Sequence, residues 1–291
     1  MSNAGLVIGF PEYRIPAQRL AEAMDLPYAE VDIHKFPDGE TRIRLPVVLP
    51  SHTVFCRSLD HPNEKLVELL LAAAGARGQG VEKLTLVAPY LCYMRQDKAF
   101  HPGEVISQGI IGKLLADYFD ALIAVDSHLH RVHQLSKAVP AKQAINLNAT
   151  EPMANFLSRQ IESPVLLGPD EESVQWVAAI AAHQGLDYCV ASKRRSGDAL
   201  VQVTLPPGQY EGRNIVLVDD IASTGCTLEA AAGELSRHNP ASLSVLVAHA
   251  LFTEGAVERL RAVGIGNIWS CDTIVHDTNA VFLAEMLACH I

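Results

Sequence analysis

The stretch IVLVDDIASTGCTL, residues 215–228, decides which fold the sequence can adopt. Its four leading apolar residues predict a buried strand, two carboxylates follow, and a loop of serine, threonine and glycine leads into a helix. In open α/β sheets, ligands bind beyond the carboxyl ends of the strands, where loop amides and a helix N-terminus attract anions. The stretch therefore predicts a phosphate site at the edge of a parallel sheet.

The side chains of this stretch suit a phosphorylated sugar. Gly225 lets the backbone approach a phosphate closely, and Asp219 and Asp220 can bind sugar hydroxyls directly or through Mg²⁺. Hydroxyl groups that can donate to the phosphate are carried by Ser223, Thr224 and Thr227. The alternative is an ordinary buried strand followed by an acidic helix start. The pattern DD-x-x-x-T-G-x-T favours ribose-phosphate binding over that alternative.

Strands and helices alternate along the whole chain. Short apolar runs such as Gly5–Phe10 and Leu84–Ala88 are separated by helical segments such as Asn63–Ala76. This rhythm is typical of a mostly parallel sheet with helices on both faces. It restarts after about residue 147, and residues 135–147 look like a connector. We therefore predict an α/β protein of two similar domains, residues 1–147 and 148–291.

Composition excludes several classes of protein. Of the 291 residues, 49% are hydrophobic and 19% charged, which is enough apolar surface for a folded core. The formal net charge of −10 argues against a nucleic-acid-binding or membrane-surface protein, although a local basic site can still bind an anion. No apolar run reaches the ~20 residues of a membrane helix, and no signal-peptide pattern is present. Six cysteines without a C-x-x-C pair indicate reduced thiols, so we expect a cytoplasmic protein.

Two segments in the first half offer nucleotide contacts. The segment FPDGE combines the aromatic face of Phe36 with the acceptors Asp38 and Glu40, which suits adenine. Taken alone, a β-turn whose phenylalanine belongs to the core explains this segment better. Arg95 lies on a loop after a strand, where it can hold a phosphate bidentately or form a surface ion pair with Asp97.

Histidines and a basic triplet follow two other strands. His128 begins the run HLHRVH, in which a structural histidine cluster is favoured over a zinc site because no fourth ligand is near in sequence. The triplet KRR, residues 193–195, is expected on a loop that Ser196–Asp198 makes flexible. An isolated cationic loop is usually only solvated, but this one would serve as a lid over phosphates.

Together these segments resemble the ribose-phosphate diphosphokinase (PRPP synthetase) family. The DD-x-x-x-TG-x-T loop also occurs in phosphoribosyltransferases, whereas FPDGE, the PY-x-x-Y-x-RQD-K segment, VDSH and the KRR triplet distinguish the synthetase. All stand in the family's order, and the resemblance covers nearly the whole chain. It implies two tandem phosphoribosyltransferase-like domains. The residues after Asp97 are closer to the archaeal-type members of the family.

The resemblance also implies an activity and a set of site residues. The reaction is diphosphoryl transfer from ATP to ribose 5-phosphate, which gives PRPP and AMP, with Mg²⁺ as the cofactor. The ATP site, shared between subunits of a homo-oligomer, includes Phe36, Asp38, Glu40, Arg95 and Gln96. The implied metal ligands are His128 and Asp170, and the implied catalytic residues are Lys193 and Arg195. The implied ribose 5-phosphate site comprises Asp219, Asp220, Ser223, Thr224, Gly225 and Thr227.

Two departures from the common pattern matter for function. Residues 98–107, KAFHPGEVIS, lack the basic run with which the common bacterial members bind phosphate and ADP. We therefore expect weak or absent regulation by those ligands. Glu171 and Glu172 follow Asp170 where the family usually has small residues. Their charges beside a triphosphate leave the nucleotide and metal preference open unless both side chains turn away.

Three other functions stand as alternatives. A phosphoribosyltransferase would use PRPP rather than make it, and it needs neither FPDGE nor KRR. A non-catalytic regulatory subunit associated with the synthetase should have an interrupted basic triplet, which here is intact. A PRPP-sensing DNA-binding repressor would need a helix-turn-helix arm and a basic patch, and the sequence indicates neither.

Overall fold

Two compact units make up the chain in the computed structural model, which describes residues 5–129, 134–196 and 200–291. The first unit comprises Met1–Asn148 with Leu283–Ile291, and the second comprises Ala149–Phe282. Each unit is built on a parallel sheet of six strands, which confirms the predicted fold class.

The sheet of the first unit has the strand order β2-β1-β5-β6-β7-β8, and all its neighbours are parallel. In chain order the strands of this unit are β1 (Leu6–Gly9), β2 (Tyr28–Glu30), β3 (Asp32–Lys35), β4 (Thr41–Arg44), β5 (His52–Cys56), β6 (Lys83–Val87), β7 (Ala121–Val125) and β8 (Gln143–Leu147). Strands β3 and β4 form a separate antiparallel hairpin. The helices are α1 (Arg14–Ala23), α2 (Pro62–Gly78), α3 (Ser107–Tyr118) and α4 (Leu135–Ala138). Strand β7 is buried at every residue, as expected where both faces of a parallel sheet are covered.

The sheet of the second unit has the order β10-β9-β13-β14-β15-β16 and is likewise parallel. Its strands are β9 (Val165–Gly168), β10 (Tyr188–Val190), β11 (Ser192–Ser196), β12 (Leu200–Thr204), β13 (Asn214–Ala222), β14 (Ser242–Ala250), β15 (Ile265–Cys271) and β16 (Asn279–Val281). Strands β11 and β12 form an antiparallel hairpin. The helices are α5 (Thr150–Gln160), α6 (Val174–Gln184), α7 (Cys226–Ser236) and α8 (Ala256–Ala262).

The two units repeat one topology, because β9–β16 follow the same order as β1–β8. In both, an antiparallel hairpin is inserted after the second strand and before the chain returns to the sheet. The register agrees as well: Ile8 lies opposite Phe55 in the first sheet, as Leu167 lies opposite Leu217 in the second. The alternation of strands and helices in the sequence thus reflects a structural duplication.

Residues 135–147 belong to the first unit, so their interpretation as a connector is wrong. They form α4 and β8, and β8 pairs with β7 from Ala121 opposite Gln143 to Val125 opposite Leu147. Strand β8 lies at the edge of the sheet, and most of its side chains are partly or fully exposed. Its sequence QAINL therefore lacks the continuous apolar run of the central strands.

The last helix, α9 (Ala284–Ala288), packs against α1 and so belongs to the first unit, although it follows the second unit in sequence. Across the described ranges, no helix has the length and hydropathy needed to cross a membrane.

We predict that Gly112→Ala destabilises the protein by about 2 kcal/mol or more, because the new methyl group cannot fit. A Cβ atom at Gly112 would lie 1.8 Å from the carbonyl oxygen of Ala138 in α4. Gly109 lies on the same helix, and a Cβ atom there would meet nothing within 4 Å. Gly109→Ala should therefore leave stability unchanged or raise it by up to about 1 kcal/mol, since alanine favours helix. Urea unfolding of both variants measures the difference, and equal midpoints would contradict the packing of α3 on α4.

Candidate active site

Carboxylates gather at the carboxyl edge of the second sheet. Strand β9 ends at Gly168, and the buried Asp170 follows it. Strand β13 continues beyond its last pair with β9 and carries Asp219 and the buried Asp220. Each of these two carboxylates accepts a hydrogen bond from the next backbone N–H, at 3.0 and 2.8 Å. Neighbouring parallel strands thus bring predicted ligand-binding residues to one place.

The pKa of the Asp219 carboxyl is raised well above its ordinary value. Burial is the largest cause, and the negative charges of Asp220 and Asp170 add to it. Negative charge is therefore unfavourable at this edge unless a cation or hydroxyl donors compensate it. A site for a sugar diol or a divalent cation has this electrostatic property.

Lys193 supplies a compensating charge. Its Nζ donates to Asp170 Oδ2 at 2.9 Å, and both side chains are largely buried. Lys193 lies on strand β11 opposite Val203 of β12, so the basic triplet occupies a hairpin strand and the prediction of a loop is wrong. The side chains of Arg194 and Arg195 and residues 197–199, which include part of the segment expected to be flexible, lie outside the described residues.

The predicted phosphate loop lies directly after β13. Helix α7 begins at Cys226, and its N-cap Gly225 has φ = 75°, a left-handed conformation that favours glycine. The loop and the first turn of α7 line a cleft of about 140 Å³, to which Asp219 also contributes. The first N–H groups of a helix have no partner within the helix, so they can donate to an anion.

Two contacts hold this loop from the next strand-to-helix connection. The backbone N–H of Thr253 donates to the carbonyl of Ser223 at 3.1 Å. Arg259, on α8, donates through Nη2 to the carbonyl of Thr224 at 2.7 Å. Sequence analysis missed both residues, because they lie about thirty or more residues away in sequence. The topology offers one signal, since neighbouring parallel strands place consecutive loops side by side.

The FPDGE segment forms the turn of the β3–β4 hairpin in the first unit. Phe36 is 42% exposed and makes an edge-to-face contact with His34, so the alternative that it belongs to the core is wrong. Asp38 Oδ1 accepts from the N–H of Glu40 at 3.1 Å, which shapes the turn. A groove of about 730 Å³ lies between this turn and α2. The aromatic face and carboxylates are therefore available to a ligand.

The remaining predicted residues of the first unit lie on two other loops at strand ends. Arg95 and Gln96 occupy the loop between β6 and α3, where Arg95 is exposed. The side-chain amide of Gln96 donates to the carbonyl of Lys98 at 3.0 Å. His128 follows β7 and is half-buried, while His130 and His133 lie outside the described residues.

No group of three or more histidine, cysteine, aspartate or glutamate side chains is arranged to hold a metal within the ranges that the structure describes. Mg²⁺ commonly takes only one or two protein carboxylates together with waters and substrate phosphates. The buried Asp170 fits that pattern, since it offers carboxylate oxygens and its negative charge acts on Asp219 nearby. Glu171 and Glu172 are exposed, and the backbone N–H of Glu172 donates to Asp170 Oδ1 at 3.1 Å.

Comparisons with known proteins agree with this geometry. A family described as the N-terminal domain of ribose phosphate pyrophosphokinase matches residues 9–118, and the phosphoribosyl transferase domain matches residues 137–285. A crystal structure of phosphoribosylpyrophosphate synthetase from Mycobacterium smegmatis superposes with a TM-score of 0.81 at 21% identity, covering 98% of this chain and 97% of that one. This structure shows the shared fold.

Curated relatives extend the likeness to the whole sequence. The ribose-phosphate pyrophosphokinase of Methanopyrus kandleri is 34% identical over 93% of both chains. Ribose-phosphate pyrophosphokinase 2 of Archaeoglobus fulgidus is 31% identical over 97% of this chain and 98% of its own. These relatives are archaeal, in keeping with the predicted archaeal-type character. With its matching domains, duplicated sheets and carboxylate-lined edge, the chain belongs to the ribose-phosphate pyrophosphokinase family.

Proposed function

We propose that the protein transfers the diphosphoryl group of ATP to ribose 5-phosphate, forming PRPP and AMP. The observation that carries this proposal is the ion pair between Lys193 and Asp170 at the sheet edge that also bears Asp219 and the anion loop. A cation, a diol-binding carboxylate pair and a phosphate cradle are the groups this reaction needs in one place. The names of the full-length relatives support the same activity.

In the proposed complex the loop from Ser223 to Thr227 binds the 5-phosphate. Backbone N–H groups and three hydroxyls supply the hydrogen bonds. Asp219 and Asp220 accept hydrogen bonds from the ribose hydroxyls, which relieves part of the repulsion between the two carboxylates. The 1-hydroxyl then points away from the loop, as in-line attack on a bound ATP requires.

The transfer itself exchanges one P–O bond for another. The 1-hydroxyl oxygen forms a bond to the β-phosphorus, the bond from that phosphorus to the α–β bridging oxygen breaks, and AMP leaves with that oxygen. The hydroxyl proton passes to solvent. Lys193 and Arg195 stabilise the charge of the transferring group, and Lys193 exchanges its contact with Asp170 for one with a phosphate oxygen.

Magnesium is the proposed cofactor. Asp170 would hold it in the second unit, and the resemblance also implies His128 of the first unit as a ligand, directly or through a water. When bound, Mg²⁺ neutralises the triphosphate and orients it. Oxygen donors and negative charge at the second sheet edge support this choice of metal.

The adenine moiety is proposed to stack on Phe36, with Asp38 and Glu40 as acceptors and with Arg95 and Gln96 at the phosphates. The exposed position of Phe36 supports a contact with a ligand or with a second subunit.

We further propose a homo-oligomer in which neighbouring subunits share the ATP site, and a cytoplasmic location. We also propose weak regulation by ADP and phosphate, because residues 98–107 lack a basic run.

Purified protein with MgATP and ribose 5-phosphate should form PRPP and AMP in equal amounts in a ³¹P NMR assay. Lys193→Ala should lower kcat by about 10³-fold, because one donor to the developing charge is lost. Lys113→Ala, which removes an exposed lysine of α3, is the matched control and should retain full activity. Formation of ADP instead of AMP would show an ordinary kinase and sink the proposal. No turnover, with PRPP still bound, would favour a transferase or a regulatory subunit.

Asp219→Asn should abolish most activity and yet stabilise the ligand-free protein at pH 7.5 by about 1 kcal/mol, as substitutions at strained functional sites do. The pKa of Asp219 is raised on folding, so the unfolded chain ionises first as the pH rises and wild-type stability falls across that window. The stability gained by the variant should therefore shrink as the pH is lowered towards about 4, the ordinary pKa of an aspartate in the unfolded chain, and should vanish below it, where the carboxyl is protonated in both states.

Thermal unfolding of wild type and Asp219→Asn between pH 4.5 and 8 measures this effect. Asp117→Asn, at an exposed position of α3, controls for the loss of one negative charge. A variant that is less stable than wild type at pH 7.5 would refute the unfavourable burial and repulsion that we assign to the charged Asp219 carboxylate.

A further inference from the structure

Arg259 lies beside the phosphate loop but contacts it from outside. Its Nη2 donates to the carbonyl oxygen of Thr224 at 2.7 Å, and its Nε lies 3.5 Å from Glu229 Oε2 in the first turn of α7. A Cβ atom on Gly255 would lie 3.4 Å from Arg259 Nη1, so the guanidinium passes closely over the start of α8. One side chain thus ties α8 to both the loop and the first turn of α7.

Because peptide groups are planar, the hydrogen bond from Arg259 fixes the orientation of a peptide group in the loop. In a trans peptide the C=O of one residue and the N–H of the next point in opposite directions, and the loop contains no cis peptide. Because the carbonyl of Thr224 points at the guanidinium of Arg259, the N–H of Gly225 points away from that guanidinium. The carbonyl of Ser223 is held by the N–H of Thr253 at 3.1 Å, so the N–H of Thr224 is directed away from that contact in the same way.

The next carbonyl, that of Gly225, is also held, and it connects the loop to helix α7. Gly225 adopts φ = 75° and its carbonyl accepts from the N–H of Glu229 at 2.8 Å, which begins the α7 hydrogen-bond ladder. The residues that carry these N–H groups, from Thr224 to the first turn of α7, line the cleft of about 140 Å³. Such a run of amides binds an anion only while its peptide planes keep their orientation.

We propose that Arg259 is a positioning residue for the 5-phosphate, and this inference rests on the proposed function of the loop. Arg259 aims the amide of Gly225 at the phosphate by holding the carbonyl of Thr224, and it does not touch the substrate. Its charge is already engaged on the outer side of the loop with that carbonyl and with Glu229. We therefore expect Arg259 to affect the binding of ribose 5-phosphate and not the binding of ATP.

Steady-state kinetics of three variants test the inference. Arg259→Met should raise KM for ribose 5-phosphate about tenfold, the effect expected for a lost charged hydrogen bond, with kcat and KM for ATP within about twofold of wild type. Arg259→Lys can still donate to the carbonyl and should recover part of the affinity. Arg261→Met removes an exposed cation from the same helix and should match wild type.

Calorimetric titration of ribose 5-phosphate in the absence of ATP gives an independent readout. An affinity lowered about tenfold in Arg259→Met, with Arg259→Lys between it and wild type, supports the inference. A lower thermal midpoint with unchanged affinity means a purely structural role and overturns it, as does an equal loss of affinity for ATP. Wild type that binds ribose 5-phosphate without forming PRPP refutes the proposed activity alone, since the titration still tests Arg259. Wild type that binds no ribose 5-phosphate overturns both.

Discussion

The contact between Lys193 and Asp170 is the interaction on which the site depends. Asp170 follows β9, and Asp219 lies on the neighbouring strand β13 just beyond its last pair with β9, so the parallel sheet itself brings their charges together. Burial raises the pKa of Asp219, and the charges of Asp220 and Asp170 raise it further. A buried carboxylate without a partner would be strongly destabilising, and a buried pair is tolerated only with good geometry. The hairpin that carries Lys193 is therefore required by the electrostatics of the sheet edge as well as by the proposed chemistry.

One equivalent position in the two sheets carries different residues, which is why we place the sugar-phosphate site in the second unit. By register, Arg57 occupies in the first sheet the position that Asp219 occupies in the second. Arg57 is 2% exposed, lies over the ring of Phe10 and donates to Glu12 and Glu68. Its charge is satisfied by the protein's own carboxylates, so an internal network fills this position of the first sheet. The same topology thus places a paired arginine at this position in one unit and a carboxylate that can accept a ligand in the other.

Sequence alone was sufficient where the signal is local. The strand, acidic pair and glycine loop of residues 215–228 are contiguous, and the structure has the predicted strand, loop and helix in that order, although β13 continues through the acidic pair to Ala222. Sequence failed where tertiary pairing decides the outcome. QAINL is a strand only because β7 offers a partner edge, and the KRR triplet is a strand only because β12 pairs with it. The contact of Arg259 with Thr224 joins residues 35 apart, and no periodicity or motif reports such a contact.

In the proposed site, hydrogen bonds from the loop hold the phosphate, and the charged side chains that assist lie outside the loop. The loop Ser223–Thr227 contains no lysine or arginine, so a phosphate there is held by amides and hydroxyls that act only at short range. A cationic side chain in the loop would also pair with Asp219 and Asp220. An internal ion pair would then occupy the phosphate site, as the ion pairs of Arg57 occupy the equivalent position in the first sheet. Because the cradle is built from oriented backbone groups, the carboxylates beside it stay available to the sugar. Lys193 can then stabilise the charge of the transferring group. Arg259 lies behind the loop, where it supports the phosphate site without occupying it.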